Sequence, residues 1–216
     1  MAEIKYCGLT RPEDAAFAGS LGAAYLGVIF AGGPRMLSAD RAAQVLDGCR
    51  TRARRVGVFG TARPDEIGRI AREARLDVVQ LHADPTPADV AAVRGETEAR
   101  VWAVVRVTDT LPPEVDDLFE SADAVLIDAR VAGSLGGSGV AVDWEALRSE
   151  LAIRRGTSRV VLAGGLTPGN VAGAVATLRP DVVDVSSGVE SAPGIKDHAR
   201  MRAFAAAVAG AAQEKP

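Results

Sequence analysis

Two stretches near the end of the chain combine residue types suited to holding a compact anion. Val160-Val161-Leu162-Ala163 breaks into Gly164-Gly165, and Val182-Val183-Asp184-Val185 breaks into Ser186-Ser187-Gly188. Each leaves backbone N–H groups with no bulky side chain in front of them, at the start of a following helix, which suits a phosphate. The plainer reading of either stretch alone is a tight strand-to-helix turn that needs glycine for its geometry. Two such stretches in successive units favour a phosphate site, because eight-unit barrels place one there.

Other reactive side chains stand where apolar runs give out. Cys7 follows Glu3-Ile4-Lys5-Tyr6, Arg35 follows Tyr25 to Phe30, His82 follows Val78 to Leu81, and Asp128 follows Ala124 to Ile127. Each has a bland alternative. A free cysteine is most often a small core residue, an aspartate often serves a turn, and Arg35 could be a solvated loop charge. His82 either touches a ligand or fills the rim, and His198 falls in the polar first turn of the last helix. Two isolated histidines give a poor ligand set, so no metal is expected. Neither histidine has a serine nucleophile in its sequence context. The Gly-rich run Gly133 to Gly139 lacks the Gly-Lys-Ser/Thr ending of a P-loop and reads as a mobile lid or a connector.

The elements that must carry these residues alternate regularly. Strands are expected at Glu3–Cys7, Tyr25–Phe30, Arg55–Phe59, Val78–Leu81, Val101–Val107, Ala124–Ile127, Arg159–Ala163 and Val182–Val185. Helices are expected between them, with Pro12, Ser38, Pro64 and Pro87 at or near helix starts. Continuous apolar strands alternating with amphipathic helices mean a parallel sheet covered on its faces. Eight such units in 216 residues predict an α/β fold, a closed (β/α)8 (TIM) barrel forming a single domain over residues 1–216. An open doubly wound sheet is the alternative. In such barrels the active site gathers at the strand C-termini, so the residues above are predicted to meet at one rim.

The bulk numbers narrow the function classes. Net charge is −3 with no basic face built up, which argues against nucleic acid or an anionic membrane surface as partner. No uncharged apolar run approaches a membrane-spanning length. The first residues lack a basic region followed by an apolar stretch, so no secretory signal is expected. Two cysteines, Cys7 and Cys49, make no disulfide framework. The expectation is a reduced, soluble, cytoplasmic protein, monomeric by default with a homodimer as the alternative.

The motifs in order carry a resemblance. Lys5-Tyr6-Cys7-Gly8-Leu9-Thr10-Arg11-Pro12-Glu13-Asp14, Leu26-Gly27-Val28-Ile29-Phe30 with Pro34-Arg35, Asp77-Val78-Val79-Gln80-Leu81-His82 and Leu126-Ile127-Asp128-Ala129 belong to it. So do Leu162 to Val171 and the run Asp184 to Asp197, which includes Ser186-Ser187-Gly188-Val189-Glu190. The chain resembles the phosphoribosylanthranilate isomerases of tryptophan biosynthesis over nearly its whole length. The resemblance implies a cofactor-free Amadori rearrangement of a phosphoribosyl substrate, N-(5-phosphoribosyl)anthranilate, an aminoaldose, to the aminoketose. It implies Cys7 as general base, Asp128 as general acid and Arg35 on the anthranilate carboxylate, with Gly164, Gly165, Ser186, Ser187 and Gly188 on the phosphate. A free thiol ionises at about 8.5 and an aspartate at about 3.9, so both groups would work in their minority forms. Ala103 and Val140 depart from a lysine and a basic residue common in the family, which touches affinity rather than reaction class.

Two further readings compete. The related sugar isomerisation of histidine biosynthesis needs two phosphate cradles, and Gly60-Thr61-Ala62-Arg63 and Ala83-Asp84-Pro85 do not supply the second. A catalytically silent phosphosugar-binding barrel would not require Cys7 and Asp128 together.

Overall fold

Short β-branched runs pair side by side in chain order, each returned to the sheet by a helix. The computed structural model describes residues 1–107, 110–129 and 144–211; the Gly133–Gly139 run and Val140 lie outside them. Strands β1 (Glu3–Tyr6), β2 (Tyr25–Ile29), β3 (Arg54–Phe59), β4 (Val78–Leu81), β5 (Arg100–Val107), β6 (Ala124–Ala129), β7 (Arg159–Ala163) and β8 (Val182–Val185) form a closed barrel. Every pairing is parallel, and β1 pairs with β8 to close the ring. Helices α1 (Pro12–Ser20), α2 (Ala39–Asp47), α3 (Pro64–Glu73), α4 (Pro87–Arg94), α5 (Val115–Ser121), α6 (Trp144–Arg154), α7 (Val171–Leu178) and α8 (His198–Ala211) follow the strands. Proline opens α1, α3 and α4, where its missing N–H costs nothing. Ser38 caps α2 by accepting from the Arg41 N–H, and Thr86 with Asp89 forms a capping box on α4.

The strand period of two sorts side chains into two cores. Tyr25, Val56, Val78, Trp102, Val104, Ala124, Leu126, Val161, Ala163 and Val182 fill the barrel interior. The alternate residues, such as Ile4, Tyr6, Leu26, Val79, Ala103, Val125, Leu162 and Val183, pack outward against the helices. Ala103 therefore sits under the helix layer, away from the strand-end rim, so its departure from a family lysine does not alter the site wall.

Two features differ from the sequence expectations. Strand β6 runs on through Asp128 to Ala129, paired with β5 and β7 at Arg106 and Ala163, so Asp128 is a strand residue rather than a turn cap. After β8 the chain forms a 3-10 turn (Ser187–Val189) and a small antiparallel hairpin of β9 (Glu190–Ala192) and β10 (Ile195–Lys196). Pro193-Gly194 makes the hairpin turn, with Gly194 at φ +80, the left-handed geometry that follows proline in a type II turn. Among the described residues no helix is long and apolar enough to cross a membrane.

Candidate active site

The same alternation explains which polar side chains reach the mouth of the barrel. Counting two residues on from the interior apolar layer along β4, β6 and β8 gives Gln80 then His82, Asp128, and Asp184 then Ser186. On β1 the same face holds Lys5 and then Cys7. The interior is thus apolar at the bottom and polar at the C-terminal end.

A cavity of about 350 Å³ opens there. Its wall includes Cys7, Gln80, His82, Asp128, Gly164, Gly165, Asp184, Ser186, Ser187 and Gly188. The structure thus brings together eight of the nine residues singled out from the sequence. The ninth, Arg35, stands at the edge in the loop between β2 and α2, and its side chain leans on Gly8 beside Ser186.

The small residues have specific reasons. Gly164 and Gly165 adopt φ +97 and +65, which L side chains rarely reach. Gly188 has an ordinary φ, but a methyl group on it would run into the carbonyl oxygen of Leu166. The two cradle loops therefore press together at Gly188. Gly27 makes room in the same way for Cys7, whose Sγ would lie 3.0 Å from an added Cβ.

Electrostatics around Cys7 come from groups that the sequence reading did not single out. Lys5, fully buried, donates from Nζ to Asp184 Oδ2 at 2.7 Å. Burial opposes its charge, yet Asp184 and Cys7 outweigh this and raise its pKa. Burial pushes the Cys7 thiol up, Lys5 and Lys196 pulling against it and Asp184 adding to it. Cys7 is therefore a thiol at neutral pH. Burial likewise lowers the His82 pKa, with Asp128 opposing, so His82 is a neutral imidazole whose Nδ1 has no hydrogen-bond partner among the described residues. Gln80 Oε1 and Asp184 Oδ1 are also buried and without a partner among the described residues, and both residues line the same cavity. Three buried polar atoms without partners at one wall mark a surface that a polar ligand completes.

A second ionic cluster lies behind the rim. Arg35 donates to Glu190 through Nε to Oε1 at 2.9 Å and through Nη2 to Oε2 at 2.6 Å. Glu190 Oε1 also accepts from Lys196 Nζ at 2.9 Å, and Lys196 Nζ donates to the Ser186 carbonyl at 3.1 Å. Burial is the main influence on both Lys196 and Glu190: it lowers the lysine, while in the glutamate Arg35 and Lys196 overcome it and lower that pKa too. Lys5 and Asp184 were legible as charges inside apolar runs, and the hairpin as a Pro-Gly turn. The Glu190–Lys196 pair had no local signal. Among the described residues no group of three or more His, Cys, Asp or Glu could hold a metal ion.

Comparison with known proteins adds to this geometry. The family model described as N-(5'-phosphoribosyl)anthranilate (PRA) isomerase matches residues 4–207. An N-(5'-phosphoribosyl)anthranilate isomerase of Ralstonia nicotianae is 39% identical over 213 residues, covering 95% of this chain and 91% of that protein. One from Trichlorobacter lovleyi is 41% identical, covering 94% and 96%. The crystal structure of the Thermotoga maritima phosphoribosyl anthranilate isomerase superposes with a TM-score of 0.84 at 32% identity, covering 97% of this chain and all of that one. Another, in complex with reduced 1-(o-carboxyphenylamino)-1-deoxyribulose 5-phosphate, gives 0.81 at 30% identity, covering 97% and 100%. Interior parity, the paired cradle loops and a match over nearly the whole chain agree: this chain belongs to the N-(5'-phosphoribosyl)anthranilate isomerase family.

Proposed function

We propose that the protein catalyses the isomerisation of N-(5'-phosphoribosyl)anthranilate to 1-(2-carboxyphenylamino)-1-deoxyribulose 5-phosphate in tryptophan biosynthesis. The observation that carries this reading is that Cys7 and Asp128 share one cavity wall with both cradle loops. The phosphate docks on the backbone N–H groups around Gly164-Gly165 and Ser186-Ser187-Gly188, and Arg35 holds the anthranilate carboxylate, a planar anion suited to a guanidinium. His82, a neutral imidazole in the wall of the same cavity, contacts the substrate from the β4 side.

Asp128 gives its proton to the ribose ring oxygen, and the C1–O bond breaks to leave a protonated Schiff base. The Cys7 thiolate then removes the proton from C2, and the electron pair moves to neutralise the iminium nitrogen. The enolamine tautomerises to the ketone as C1 gains a proton and the C2 hydroxyl loses one. The buried thiol suits this step: a base of raised pKa is a stronger proton acceptor once ionised, and the neighbouring iminium cation favours its ionisation. Product formation by the wild type, Cys7→Ala and Asp128→Ala is the test. Each variant should lose about 10²–10⁴-fold in kcat. Turnover near wild type in either variant removes that residue from its role.

A further inference from the structure

Arg35 binds Glu190 through one edge of its guanidinium, the edge made by Nε and Nη2. A two-bond fork of this kind fixes the plane of the group as well as its place. Among the described residues Nη1 makes no hydrogen bond, so the opposite edge remains available to a second anion.

Glu190 is itself immobilised. Its side chain is 4% exposed, its Oε1 accepts from Lys196 Nζ and from the Gly194 N–H, and its backbone opens the β9–β10 hairpin. Lys196 is wholly buried and tied in turn to the Ser186 carbonyl of the cradle loop. The hairpin therefore ties Arg35 to the Ser186 loop through one carboxylate. Its charges do not balance, since Arg35 and Lys196 carry two positive charges against the single negative charge of Glu190. Arg35 is only partly buried, with its side chain 23% exposed, and a carboxylate arriving at its free edge would supply the missing negative charge.

The geometry points to Glu190 as a positioning residue that holds Arg35 in the orientation needed to receive the substrate carboxylate. This rests on the proposed reaction. Glu190 touches no reacting atom in that scheme, so it should govern binding at the aryl end and leave the proton transfers alone. A purely structural role would instead loosen the whole rim. A parking role, in which Glu190 competes with substrate for Arg35, would have the opposite sign.

The experiment compares wild type, Glu190→Gln, Glu190→Asp, Arg35→Ala and the Arg35→Ala/Glu190→Gln double variant. KM and kcat are measured, together with competitive inhibition by anthranilate and by inorganic phosphate. Glu190→Gln should raise KM and weaken anthranilate inhibition by roughly tenfold, as loss of a charge-assisted fork implies. Its kcat should stay within about threefold and its phosphate inhibition should not change. In the Arg35→Ala background the same substitution should add nothing to KM, because the pair acts as one unit. Glu190→Asp keeps the charge but shortens the reach, so it should raise KM less; it carries the test should the glutamine variant not fold. Unchanged or lowered KM, equal weakening of both inhibitors, or additive effects in the double variant would each overturn the proposal. Failure of the wild type to convert the substrate at all would instead refute the proposed reaction.

Discussion

At the scale of single residues, the cavity sets Cys7 apart from an ordinary cysteine. Burial holds its proton on, and the opposing cations Lys5 and Lys196 do not restore the ordinary value. This has a consequence for rate against pH. In the proposed reaction the active form carries one proton on Asp128 and none on Cys7, and it coexists in fixed ratio with the form in which the proton sits on the thiol. Both vanish together when that shared proton is lost, at the pKa of the buried thiol. Because that pKa is raised, kcat/KM should remain level past pH of about 8.5, the ordinary thiol value, and fall only beyond it. A pH profile of kcat/KM whose alkaline fall centres below that value would contradict the environment described for Cys7. The same burial keeps His82 uncharged at neutral pH, so the substrate contact proposed for it is that of a hydrogen-bonding imidazole and not of a cation.

At the scale of elements, the decisive contact is between the loop after β7 and the turn after β8. Gly188 lies so close to the Leu166 carbonyl that one methyl group cannot be added without moving backbone. Backbone cannot yield as a flexible side chain does, so Gly188→Ala should force the two cradle loops apart. Overpacking of this kind costs about 1–3 kcal/mol. Inhibition by inorganic phosphate should weaken by about tenfold, the loss of roughly one good hydrogen bond to a charged group. Phosphate inhibition and urea denaturation of the variant check both parts; unchanged phosphate inhibition would mean that the loops do not act as one cradle. The β9–β10 hairpin is the other element that touches Arg35 and the Ser186 loop. It adds nothing to the barrel sheet, yet through Glu190 and Lys196 it buttresses Arg35 and the Ser186 loop.

At the scale of the whole molecule, closing the ring places the first and last helices side by side. Asp14, fully buried on α1, joins them: it receives both Nε and Nη2 of Arg11, contacts His198 Nε2 at 2.9 Å, and accepts from the Lys196 N–H at 3.2 Å. His198 also stacks on Phe17 with ring centroids 4.0 Å apart. Removing one partner of a buried charged network leaves the others uncompensated, so Asp14→Asn should destabilise the fold by about 3 kcal/mol. The value lies at the low end because Arg11 keeps access to water. Equilibrium urea denaturation measures it, and a change below about 0.5 kcal/mol, the range of ordinary surface substitutions, would show that closure does not depend on this cluster.

The sequence by itself determined the number and order of the units. Short, β-branched, nearly continuous apolar runs such as Val78–Leu81, Arg159–Ala163 and Val182–Val185 suit strands buried on both faces, and their bounds match the structure. It also determined the strand-end positions of Cys7 and His82 and the glycine cradles, because turn chemistry and strand ends are written locally. Tertiary structure decided what depends on residues far apart in the chain. Lys5 meets Asp184 because β1 and β8 close the ring in a register that sets them opposite each other. Arg35 meets Glu190 across 155 positions. Gly188 is required not by its own backbone angles but by Leu166 arriving beside it. Local patterning specifies an element and its ends; which buried charges find partners follows only from how the ring closes.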